Sequence, residues 1–89
     1  MARVDVRPLD DEHFEVTIDE GSTSSMHVVT ATEKQVDLLC DGCSAEKLVE
    51  ASMRFLLDRE PKESIMNQFD LDVIAGYFPE YPSKVGDYL

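Results

Sequence analysis

The sequence predicts an α+β fold: a three-stranded antiparallel meander packed on a long helix, with short additional helices. Three observations predict it. His13 to Asp19 alternates apolar and polar residues with the period of a half-buried strand, while Ala45 to Glu60 repeats its apolar residues with the period of a helix. Between them, Thr32-Glu33-Lys34-Gln35 has the form of a capping box. The 89 residues read as one domain, with the meander over 1–31, a helical half over 32–78 and a loosely held C-terminal tail over 83–89.

The first strand is Arg3 to Arg7, with Val4 and Val6 on one face and charges on the other; Pro8 marks its end because it cannot donate to a ladder. The second strand turns Phe14, Val16 and Ile18 inward. Glu20 to Ser24 is a turn in which Gly21 can take a positive φ. In the returning strand, Met26 to Ala31, hydropathy assigns Met26, Val28 and Thr30 to the core face, although Val29 blurs the alternation. That choice pairs Ile18 with Met26 and leaves His13 and His27 as surface residues.

A short helix follows the capping box, with Val36, Leu39 and Cys40 on one face and Gly42 as its stop. Ser44 then caps the main helix. Its apolar side chains sweep an arc of roughly 240° at about 100° per residue, far more than the roughly 100° that one sheet can cover. The remaining stripe is Lys47, Glu50, Arg54 and Asp58. Pro61 ends this helix and suits the first turn of another over Lys62 to Gln68. Asp70 caps a further short helix, Leu71 to Phe78, after which Tyr81-Pro82 is extended.

Nineteen acidic against eight basic residues give a formal charge of −11. Such a surface repels phosphate backbones and anionic lipid, so neither direct nucleic-acid binding nor membrane binding is expected. Valine, isoleucine, leucine and phenylalanine contribute 24 of the 89 residues, above the roughly 20% below which chains stay disordered. No apolar leader or membrane-length run is present, and a reducing cytoplasm is the expected setting.

Chemistry-bearing motifs are sparse. Cys40-Asp41-Gly42-Cys43 is a C-x-x-C, the weak candidate for a metal or redox site. Zinc takes four ligands, and no second pair of cysteines exists to complete them. In the expected hairpin register His13 and His27 stand on the order of 13 Å apart at about 3.3 Å per residue, too far to share an ion. Cys40 also continues an apolar helix face, so buried structural thiols are the preferred reading, ahead of redox and then metal. Asp70-Leu71-Asp72 opens like a calcium loop but Ile74 and Ala75 stand where a ligand and a glycine are needed. No glycine-rich phosphate loop and no nucleophile with a partnered base is legible, so no catalytic residue and no cofactor is expected.

The segments FLLDREPKESI and FDLDVIAGYFPEY resemble a set of small bacterial proteins of similar length and no established function, which share FLL-x-REP-x-x-SI, FDL-x-VI and YFPEY. The resemblance covers roughly the C-terminal half, with a similar HVVT strand upstream, and implies a shared fold. It implies no activity and no functional residue, and the cysteine pair is not part of its pattern.

These observations lead to a small acidic, non-enzymatic domain that acts through protein–protein contact, either with itself as a homodimer or with another protein. Two alternatives stay open: an acidic regulatory or antitoxin-like subunit that neutralises a basic partner, and a C-x-x-C redox or metal protein. Met53 and Leu57, on the uncovered side of the main helix, and Tyr77, Phe78 and Tyr81, at the aromatic end, are the candidate partner-binding residues. The competing reading of the aromatic end is that it folds back to cover the main helix.

Overall fold

The computed structural model describes residues 2–40 and 42–89; Asp41, inside the C-x-x-C, lies outside them. The fold is α+β, with a four-stranded mixed sheet in the order β1-β2-β3-β4. Strands β1 (Arg3–Pro8), β2 (His13–Asp19) and β3 (Ser24–Thr30) form the expected antiparallel meander, and β4 (Gln68–Asp70) adds to β3 in parallel. The fourth strand is a correction. Lys62 to Gln68 was expected to be a helix, but helical structure there is one 3₁₀ turn, Lys62–Ser64, after which the chain extends into β4. Its pairing partner is 40 residues upstream, Val28 to Gln68, which local periodicity cannot register.

The face of β3 is the second correction. Ile18 stands opposite Ser25, Thr17 opposite Met26 and Val16 opposite His27, one residue out from the expected register. Because strand side chains alternate, a slip of one exchanges the two faces. Met26 is therefore 56% exposed, and His27 and Val29 are buried. The turn decides this parity. Glu20 donates its N–H to the Thr23 carbonyl at 2.9 Å, Gly21 takes φ +91° and receives the Asp19 carboxylate on its N–H, and Asp19 then pairs with Ser24.

Local capping signals place the helices. The Thr32–Gln35 capping box starts α1 (Glu33–Leu39), with both of its hydrogen bonds formed. Gly42, at φ +85°, turns the chain toward Ser44, whose hydroxyl accepts from the Lys47 N–H and starts α2 (Ala45–Leu57). Asp70 caps α3 (Leu71–Tyr77) by accepting from the Asp72 N–H at 2.7 Å.

Helix α2 lies on the β1–β2 side of the sheet, and its large remaining apolar surface is covered by the C-terminal segment. Here the expectation of an extended Tyr81-Pro82 and a loose tail is overturned. The chain forms α4 (Tyr81–Lys84) and a final 3₁₀ turn, Val85–Tyr88, in which Tyr81 and Val85 are buried. Phe55 organises this packing. The rings of Tyr81, Phe78 and Tyr88 meet it edge to face at 5.2, 5.9 and 6.0 Å. The Arg59 guanidinium sits 3.7 Å from its centroid. Burying Phe55 contributes roughly 2–3 kcal/mol, and each aromatic pair about 1 kcal/mol more.

Candidate functional site: an apolar groove beside α3

The segment from the end of α2 through α3 lines a groove of about 310 Å³. Leu56 comes from the last turn of α2, Ile65 and Phe69 from the extended stretch and β4, and Ile74 from α3; all four are buried and make the floor. The rim is different. Met66 is 41% exposed and Tyr77 is 71% exposed, so two large apolar groups, one from the stretch before β4 and one from α3, face solvent. Among the described residues that line the groove one is charged, the half-buried Glu60, and it is an acid.

Two devices fix the walls. Asp70 ends β4 and caps α3 at once, which sets the angle between the strand and the helix. On the other side, His27 reaches from the core face of β3 and donates Nδ1–H to the Met66 carbonyl at 2.7 Å. A carbonyl can only accept, so the hydrogen is on Nδ1; in the neutral ring Nε2 then accepts from the Ser25 hydroxyl at 2.8 Å. The Val28 N–H donates to the Asn67 carbonyl at 2.8 Å and continues the connection into β4. His27 is thus a satisfied core histidine, not the surface residue that its polarity suggested. A Ser–His contact of this kind also resembles a nucleophile with its base, but the imidazole is buried and neither residue lines the groove.

The expected partner-binding residues separate. Tyr77 and Phe78 line the groove, and Phe78 also packs on Phe55. Met53 and Tyr81 are buried, so neither can offer surface to a partner, and Leu57 is half-buried beside Ala2, Arg54 and Tyr88. Met53 does not lie on an uncovered strip: it is fully buried, and the final 3₁₀ turn packs on α2. Ile65, Met66 and Phe69 converge on one groove because the chain after Ser64 is extended, where a helix over Lys62 to Gln68 was expected.

Tyr81 is closed off electrostatically as well. Burial pushes its phenol up to about 12, an effect partly offset by its hydrogen bond with Ser52, so it stays neutral at physiological pH. Lys62 is covered by its neighbours although it lies in a thin outer layer. It is held charged by Glu63, in direct contact, and by Glu20 at 3.4 Å; Lys62 correspondingly holds the Glu63 carboxyl below its ordinary range.

The cysteines stand apart from this groove. Cys40 and Cys43 are joined as a disulfide with their Cα atoms 5.7 Å apart, so the expected free, buried thiols are replaced by a bonded pair. His13 opens β2 and is held through Nδ1 by the Asp10 carboxylate at 2.8 Å, and His27 is enclosed by its own partners. Among the described residues no three His, Cys, Asp or Glu side chains gather as a metal site, and no helix is long and apolar enough to cross a membrane. Comparison with protein-family models, curated proteins and solved structures returns no match.

Proposed function

We propose that this chain is a non-enzymatic binding domain that receives a basic amphipathic segment of another protein in the groove beside α3. The observation that carries the reading is the pairing of an apolar floor with two exposed apolar rim residues, Met66 and Tyr77, on a chain of net charge −11. Isolated exposed apolar residues are ordinary, but several that line one concavity are the usual form of a recognition surface. Methionine and tyrosine suit such a rim, one being adaptable and the other rigid with a polar end.

Charge selects the class of partner. Glu60 stands in the wall, and the whole molecule attracts a cationic segment and repels another copy of itself. The reading therefore favours the acidic regulatory form of the expected function over the homodimer. The resemblance to small bacterial proteins adds no activity to it.

A labelled Lys/Leu amphipathic helical peptide tests this by fluorescence anisotropy, with a Glu/Leu peptide of equal length as control. Binding of the cationic peptide should weaken with salt and fall about tenfold or more in Tyr77→Ala or Met66→Asp, as for the loss of an interface anchor. Equal binding by wild type and both variants would mean charge attraction alone and would end the groove reading. A dimer in sedimentation that Met66→Asp dissociates would replace the basic partner with a second copy.

A further inference from the structure

The disulfide of Cys40 and Cys43 has no part in the groove, and both helices beside it are capped at their N-termini by other residues. Helix α1 is secured by its own capping box, and Cys40 closes its C-terminus through a backbone bond to the Val36 carbonyl at 2.8 Å. Helix α2 is capped independently by Ser44. A bond across a C-x-x-C closes a very short loop, the case in which a crosslink restricts the unfolded chain least. The two sulfurs also differ in access. Cys40 is 7% exposed and belongs to the core, whereas Cys43 is only partly buried at its edge. Cys43 directly precedes the cap of the thirteen-residue α2, where the positive end of the helix favours an anionic sulfur; the exposed Glu46 in the first turn moderates this.

We propose that Cys40 and Cys43 form a reversible dithiol–disulfide couple that exchanges with low-molecular-weight thiols through Cys43. In reduction, an external thiolate attacks Sγ of Cys43, the bond to Cys40 breaks, and Cys40 leaves as a thiolate that takes a proton. A second external thiolate then attacks the external sulfur of the mixed disulfide. Cys43 is released as a thiolate and protonated, and the two external thiols depart as one disulfide. Two electrons and two protons pass to the protein. Oxidation runs the same steps backward, with Cys40 as the resolving sulfur.

The test uses the full chain in a series of buffers of reduced and oxidised glutathione, quenched with an alkylating agent and weighed by mass spectrometry. The expected result is a dithiol-to-disulfide transition within the glutathione range, with a reduction rate proportional to thiol concentration. A pair that stays oxidised across the series, or opens at a rate independent of thiol because the chain must unfold first, would overturn the proposal. Site preference is read from single variants whose folding is checked by circular dichroism. With oxidised glutathione, Cys40→Ser should form its mixed disulfide at Cys43 about tenfold faster than Cys43→Ser forms one at Cys40. Equal rates would remove Cys43 as the point of entry. The wild-type titration stands even if a variant does not fold.

Discussion

Tyr81 donates its phenolic hydrogen to Ser52 Oγ at 2.6 Å, in the interior between α2 and α4. The direction is fixed by a second bond. The single hydroxyl hydrogen of Ser52 goes to the Leu48 carbonyl at 2.7 Å, so toward Tyr81 the serine can only accept. A short polar relay thus joins the C-terminal cover to the backbone of the main helix, and every member of it is satisfied.

Unequal costs for two deletions are the expected consequence. Ser52→Ala leaves the buried Tyr81 O–H without an acceptor and should destabilise by about 1–3 kcal/mol. Tyr81→Phe leaves Ser52 with its donor bond intact and should cost about 0.5–1.5 kcal/mol. Urea denaturation of both variants measures this, and equal or reversed costs would show the donor assignment to be wrong.

The same phenol predicts an alkaline limb. Its folded value of about 12 lies above the ordinary 10.0, so between those values the unfolded chain has lost the proton that the folded chain keeps. Stability is then fully present below pH 10 and declines as pH rises toward about 12. The maximum contribution is on the order of 3 kcal/mol, from about 1.4 kcal/mol per pH unit. Between pH 9 and about 12 the wild-type curve should fall through that of Tyr81→Phe, starting above it and ending below it, because the loss exceeds the cost of the substitution. Parallel curves would mean that Tyr81 ionises as freely in the fold as outside it.

His27 should behave as a core residue that also anchors the groove. His27→Ala removes a buried ring and orphans the Met66 carbonyl, for an expected loss of about 3–5 kcal/mol. Amide exchange should accelerate most at Gln68 to Asp70, which His27 helps hold against β3. Ser25→Ala removes only the donor to Nε2 and should cost about 1 kcal/mol. If His27→Ala left both stability and exchange unchanged, the histidine would not be the link between β3 and the groove wall.

What could be read from the chain and what could not divide along the range of the interactions. Thr32, Ser44 and Asp70 were legible as caps because a cap is completed within three residues. The face of β3 was not, since hydropathy favoured Met26 over His27 while the turn through Gly21 set the register. Strand β4 was illegible for a similar reason: three residues have no periodicity, and their only signal is a partner strand 40 residues upstream. Half of the groove rim, Tyr77, was visible as an aromatic on a short helix. The other half, Met66, became part of a site only through the extended backbone and the contact from His27.

Lys62 provides the last prediction, because its covered stem and its charge can be separated. The side chain is 2% exposed, while its partners Glu20 and Glu63 are 41% and 65% exposed and would rehydrate if the ammonium were removed. Lys62→Met keeps most of the apolar stem and deletes the charge, so the melting temperature should hold within a few degrees or rise, as when ion pairs are replaced by apolar groups of similar volume. Lys62→Ala also loses the stem and should melt lower than the methionine variant. Lys62→Glu places a third carboxylate against Glu20 and Glu63 and should melt lowest, with partial recovery in high salt. Calorimetry on the three variants gives the order, and a methionine variant as unstable as the glutamate one would show that the ammonium, not the stem, secures this corner of the fold.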